Sequence, residues 1–139
     1  GLCLKKRQRR EEADLLLLDT VGELAGLDRL ADAVFVGGSL VPRGGPNILE
    51  PAAFAQPPVF GPHMENFQEM AADFLAARAA VQVANERELG ATWVELIRGE
   101  EKRRRMGESA KALVESNRGA TAKSLERIAA ILDAHRSGA

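Results

Sequence analysis

Apolar residues fall in short runs through the first half of the chain and at helical spacing through the second. "LCLKKR" at 2–7 reads as a short strand with an exposed end, and "DLLLLD" at 14–19, a compact apolar run bounded by acids, as a buried strand. Val21, Leu24, Leu27 and Leu30 then recur every third position, which predicts a short helix with Thr20 and Glu23 at capping-box spacing. "AVFVGG" predicts a second buried strand ending in glycines. "PNILEPAAFA" predicts a helix with Pro46 in its first turn and Pro51 as a confining or kinking residue. "PPVFGP" predicts a third strand, after which the chain turns through "PHMENF".

Downstream, Phe67, Met70, Ala71, Phe74 and Leu75 make one apolar helix face, and "AAVQV" predicts a fourth strand. Leu89, Trp93, Leu96 and Ile97 define the next helix, with Trp93 expected in the core. Met106, Ala110, Leu113 and Val114 define another after "EEKRRR". Leu125, Ile128, Ala129 and Leu132 define a terminal helix capped by Thr121 or Ser124. Short buried strands alternating with helices predict an α/β fold, a parallel sheet with helices on both faces. Ligands of such sheets bind beyond the carboxyl ends of the strands. The loops after "AVFV" and "PVF" leave the sheet at that same edge, which predicts a site there.

Composition adds limits. At 139 residues, with 45% hydrophobic and 28% charged, the chain suits one globular domain rather than a disordered segment. A net charge of −1 and a pI near 6.2 give no general electrostatic reason to bind nucleic acid. The single cysteine, Cys3, excludes an internal disulfide and fits a reducing compartment. No apolar run has the length of a membrane span, and residues 1–12 do not read as a signal peptide. The opening "GLCLKKR" reads like the middle of a fold, so the expectation is a partial domain over 1–139. The basic runs "KKRQRR" and "EKRRRM" are flanked by acids and read as solvated faces.

The richest chemistry lies in "VGGSLVPRGGPNILEP" at 36–51. Gly37, Gly38, Gly44 and Gly45 let backbone approach a ligand, Ser39 and Asn47 add polar side chains, and Arg43 offers a forked cation. The first N–H groups of the following helix favour an anion. Neither a Walker loop nor a dinucleotide-binding glycine pattern is present, so a phosphate cradle and a structural turn both remain open. Glu50 reads either as an acid complementing the first helical turn or as an acceptor of sugar hydroxyls, and the first reading is the commoner one. His63 in "GPHMENF" reads as a ligand contact or as a loop histidine bonded to backbone, and Asn66 as a ligand contact or a helix cap. His135 is expected in solvent. No His or Cys set has metal-ligand spacing, and no nucleophile elbow occurs.

Taken in order, "LLLLDTVGEL", "ADAVFVGGSLVPRGGPNILEPAAFAQPPVFGPHMENF" and "VESNRGAT" closely resemble the C-terminal half of the 3-deoxy-D-manno-octulosonic acid (Kdo) transferases of Gram-negative bacteria. The likeness runs from about Leu15 to Ile128 and rests on D-T-x-G-E-L, F-V-G-G-S-L, G-G-x-N-x-x-E and G-P-H-x-x-N-F in sequence. It implies the Rossmann-like C-terminal half of a two-domain (GT-B) glycosyltransferase that moves Kdo from CMP-Kdo to a lipid A precursor at the cytoplasmic face of the inner membrane. It implies a donor site of Gly37, Gly38, Ser39, Arg43, Gly44, Gly45, Asn47, Glu50, His63 and Asn66. Gly37, Gly38 and Ser39 then line the donor, Gly44, Gly45 and Asn47 lie near phosphate and sugar, and Glu50 meets the cytidine ribose. No cofactor or obligatory metal is implied.

Two departures stand out. The family commonly has His where this chain has Pro46, which removes a side-chain donor and an N–H. The resemblance implies that the N-terminal domain, which in the family carries the membrane anchor, the acceptor surface and the catalytic carboxylate, is not among these 139 residues, and neither is the first strand of the C-terminal domain with its basic donor-binding loop. The chain alone is therefore expected to be soluble and inactive, and membrane contact is expected mainly through the missing half. A UDP-sugar transferase domain and a non-catalytic nucleotide- or partner-binding domain are the rival readings.

Overall fold

The computed structural model of the chain describes residues 30–45 and 47–137. The expected strands at 2–7 and 14–19, the basic run "KKRQRR", Cys3, the Thr20–Glu23 pair and Pro46 lie outside them, as does the side chain of His135. Of the apolar series of the first expected helix only Leu30 is described, and it sits in a turn, 80% exposed.

Three parallel strands form the described sheet in the order β1 (Val34–Phe35), β2 (Pro58–Phe60), β3 (Val81–Gln82). Val34 pairs with Pro58 and Phe35 with Val59; Val59 pairs with Val81 and Phe60 with Gln82. Pro58 is tolerated in the central strand because it is the first residue of that strand. β2 is buried throughout, and its neighbouring side chains point to opposite faces. Phe60 enters a cluster with Ile48, Ala52, Met64, Phe74, Ala110 and Val114. Val59 enters a second cluster with Val83, Leu96 and Met106. The α/β fold with helices on both faces is thus present, and "AVFV", "PVF" and "AVQV" are its strands.

The helices are α1 (Leu49–Ala53), α2 (Gln68–Ala76), α3 (Glu86–Arg98) and α4 (Glu100–Ser137), with a 3₁₀ turn at Glu65–Phe67. Pro51 does not kink α1. It is the third residue of a five-residue helix, where its missing N–H has no intrahelical acceptor to lose. The helix stops because Ala55 turns left-handed, at φ 59°, ahead of Pro57 and Pro58. On α2, Ala71 and Phe74 are buried as expected, whereas Leu75 lies on the rim at 36% exposure.

Asn85 caps α3: its side chain accepts from the Glu88 amide at 3.0 Å, while the Glu88 carboxylate accepts from the Ala84 amide at 2.8 Å. The expected core position of Trp93 is wrong. The buried arc of α3 centres on Leu96 and turns toward Thr92, so Trp93 and Ile97 fall outside it, at 39% and 57% exposure. At the far end, Arg103 donates to the carbonyls of Leu96 and Ile97, both at 3.0 Å, and pairs with Asp32 at 3.1 Å. One cation thereby closes the C-terminus of α3 and ties it to the segment before β1.

The two expected C-terminal helices are one. α4 runs 38 residues, about 57 Å at the usual rise. Thr121 and Ser124 do not cap it; their hydroxyls donate back to the carbonyls of Asn117 and Ala120 inside the helix. Met106, Ala110 and Val114 are buried as predicted, but Leu125, Ile128 and Leu132 are more than half exposed. The "EKRRRM" run is only partly a solvated face: Arg104 pairs with Glu101 and Glu108, and Arg105 with Glu101, in solvent, whereas Arg103 is tied to α3 and Met106 is buried. Among the described residues no helix is long and apolar enough to cross a membrane.

Candidate functional site

The loops after β1 and β2 meet beyond the carboxyl ends of their strands, and Ser39 is the joint between them. Its side chain is fully buried. The hydroxyl donates to the Val36 carbonyl and accepts from the Gly61 amide, each at 2.7 Å. The Ser39 carbonyl accepts from the His63 amide at 2.9 Å, and the Gly44 carbonyl from the Asn66 amide at 2.8 Å. Gly61 must be glycine, since a Cβ there would strike the Ser39 backbone. Gly45 is likewise pressed against Met64 Cα and the His63 carbonyl, and it adopts a positive φ of 80°. The two loops are therefore a single backbone-bonded unit.

On this unit the predicted residues divide into two groups. Gly37, Gly38, Arg43, Asn47, Glu50 and Asn66 are exposed, and His63, Gly44 and Gly45 are half-buried. Ser39 belongs to the framework, its hydroxyl already saturated by Val36 and Gly61. Arg43 and Glu50 have no side-chain hydrogen bond or ion pair among the described residues, so both are free to meet a ligand. Asn47 accepts from the Leu49 amide at 2.9 Å, an Asx turn that leaves its side-chain N–H₂ available. α1 is too short to develop a macrodipole, so any anion here would meet individual N–H groups and Arg43 instead. Asn66 uses its backbone N–H toward Gly44 and does not act as a side-chain cap of the 3₁₀ turn.

A cavity of about 730 Å³ lies elsewhere, beside the amino end of β3, bounded by Leu75, Arg78, Val81, Lys102 and Met106. It contains none of the predicted site residues.

Comparison with known proteins places the chain among transferases. No protein-family profile matches the chain. It is 36% identical over 115 residues to the 3-deoxy-D-manno-octulosonic acid transferase of Bordetella pertussis, covering 83% of this chain and 27% of that protein. It is 34% identical over 124 residues to the enzyme of the same name from Haemophilus influenzae, covering 88% of this chain and 29% of that one. The crystal structure of the C-terminal CMP-Kdo binding domain of WaaA from Acinetobacter baumannii superposes with a TM-score of 0.66 at 32% identity, over 70% of this chain and 51% of that one. The chain belongs with the C-terminal domains of the Kdo transferases.

The chain spans between a quarter and a third of the length of the two curated relatives. Within this Kdo transferase domain, two residues of the loop unit escaped the sequence reading. Glu65 Oε1 lies 3.0 Å from His63 Nδ1, within hydrogen-bond distance. Gln82, at the end of β3, reaches the Gly61 carbonyl at 3.4 Å. Neither has a local signature: the first contact needs the 3₁₀ turn after Met64, and the second needs the register of β3 on β2. The Glu65 carboxyl is held below its ordinary value by its own amide first, then by the His63 ring, with the Gly44 amide adding a little.

Proposed function

We propose that the loop unit of residues 37–50 and 61–66 binds the nucleotide-sugar donor CMP-Kdo, and that the protein containing this domain transfers Kdo to a lipid A precursor. The observation that carries the reading is the pair of fused glycine loops beyond the strand ends in a chain that matches a CMP-Kdo binding domain in both sequence and fold. Arg43 meets the phosphate, whose charge is that of the CMP leaving group as the glycosidic bond breaks. Glu50 accepts from the ribose hydroxyls, and Asn47 with Gly44 and Gly45 lies against phosphate and sugar. His63 and Asn66 close the sugar side.

The rest of the reaction belongs to a second domain. A carboxylate there acts as general base on the acceptor hydroxyl, with inversion at the sugar carbon. Metal and cofactor have no part in this scheme, because Arg43 and backbone N–H groups supply the positive field. The 139-residue chain alone does not transfer sugar, and the longer protein works at the cytoplasmic face of the inner membrane. The decisive experiment is an NMR titration of the chain with CMP, and with UMP as control. Shifts clustered at residues 37–50 and 61–66 and stronger for CMP support the reading. Equal response to UMP moves the assignment to a UDP-sugar enzyme, and no response to either nucleotide overturns donor binding by this chain.

A further inference from the structure

His63 and Glu65 form a side-chain pair at the rim of the loop unit. The 3₁₀ turn starting at Glu65 brings the two residues onto one side, with buried Met64 between them as the anchor. His63 Nδ1 lies 3.0 Å from Glu65 Oε1. Nε2 of the same ring has no partner among the described residues. An ionised carboxylate can only accept, so the ring atom facing Glu65 must carry the proton. In a neutral imidazole that makes Nε2 the acceptor. Free histidine side chains favour the opposite tautomer.

We infer that Glu65 is a positioning residue that fixes the Nδ1–H tautomer and the orientation of His63, so that Nε2 is presented to accept a hydrogen bond from a ribose hydroxyl of the CMP moiety. The inference rests on the donor-binding reading above. The depressed pKa of the Glu65 carboxyl keeps it ionised and acceptor-only through the neutral range. The pair is partly exposed, 34% for the His63 side chain and 46% for Glu65, so it adds little to stability. Its effect falls on which ring nitrogen accepts.

Imidazole ¹⁵N spectra test this directly, because the chain has only two histidines and His135 serves as the internal reference. The spectra are recorded at about pH 8, above the ordinary histidine range, for the wild type, Glu65→Ala and Glu65→Gln. The wild type and Glu65→Gln, whose amide oxygen still accepts from Nδ1–H, should both show the Nδ1–H tautomer at His63. Glu65→Ala should revert to Nε2–H. Binding of CMP should weaken about 3- to 10-fold in Glu65→Ala and less than about 2-fold in Glu65→Gln, the scale of one lost hydrogen bond. An Nε2–H tautomer in the wild type, or an unchanged His63 in Glu65→Ala, overturns the inference. So does a tautomer change with no change in CMP affinity. If the wild type binds no CMP at all, the donor-binding reading and the sugar contact at Nε2 fall together. The tautomer data then judge only whether Glu65 sets the ring.

Discussion

The Ser39 hydroxyl and the Gly61 amide, twenty-two positions apart in sequence, are joined by a buried hydrogen bond of 2.7 Å that holds the loops after β1 and β2 together. The same hydroxyl returns its proton to the Val36 carbonyl, so a single buried oxygen serves both loops. Ser39→Ala would leave the Gly61 N–H buried without its acceptor. The expected cost is about 1–3 kcal/mol of unfolding free energy, read from urea denaturation. Because the loops carry the proposed donor site, CMP affinity should fall as well. A variant with wild-type stability would mean that the Gly61 N–H finds another partner and that the seam does not depend on Ser39.

A second test contrasts two helical glycines. Gly90 in α3 has open space where a Cβ would go, whereas a Cβ on Gly107 in α4 would run into the Ala55 carbonyl. Ala55 is the left-handed residue that ends α1, so this is where α1 lies against α4. Helix propensity alone predicts that both Gly→Ala changes stabilise. We expect Gly90→Ala to stabilise by about 0.5–1 kcal/mol. Gly107→Ala should destabilise by about 1–3 kcal/mol through overpacking. Thermal denaturation of both variants decides it, and a stabilised Gly107→Ala would show that α1 and α4 are not packed this closely.

The acid side of the stability curve should report Glu101. Its carboxyl is held below the ordinary 4.5 by hydrogen bonds from Arg104 and then Arg105. A carboxyl depressed in the folded state contributes stability at pH values above its unfolded pKa. That contribution disappears as pH falls through the lower, folded value. The wild type should therefore lose stability below about pH 4.5 more steeply than Glu101→Gln, and the difference should shrink in high salt because the pair is exposed. Parallel curves for the two proteins would show that the Arg104 and Arg105 contacts do not persist in solution.

Much of this arrangement could be read from the residues. The "AVFV" and "PVF" runs are apolar on both sides, which is what a sheet covered on both faces demands; "AVQV" is apolar except at exposed Gln82, and the order of the three runs fixed the edge at which the glycine loops had to emerge. What escaped had a non-local cause. Trp93 sits at helical spacing with Leu89 and Leu96, but only the direction from which β2 approaches decides which side of that arc is covered. The single α4 was split in the sequence reading because Thr121 and Ser124 are good caps in the abstract; their hydroxyls are equally able to bond back to the preceding turn. Ser39 was counted among the ligand-lining residues, yet only the partner loop reveals that its hydroxyl is already used. Glu65 was invisible because its contact with His63 depends on the 3₁₀ turn after Met64, and the Gly44 amide reaches it only once both loops are folded.

Arg43 and Glu50 allow the proposed site to be dissected by ligand as well as by mutation. Both are exposed and have no side-chain partner among the described residues, so replacing either should leave the fold undisturbed. If Arg43 meets the phosphate, Arg43→Ala should weaken CMP about 10-fold or more, as expected for a charge-assisted contact, and leave cytidine unaffected. If Glu50 meets the ribose, Glu50→Gln should weaken CMP and cytidine by the same factor, about 3- to 10-fold for one impaired hydrogen bond. Calorimetric titration of both ligands against the wild type and both variants completes the comparison. Loss of cytidine binding in Arg43→Ala would place the guanidinium on the nucleoside rather than the phosphate. A Glu50→Gln effect confined to CMP would remove the ribose assignment, because cytidine carries that ribose and lacks only the phosphate.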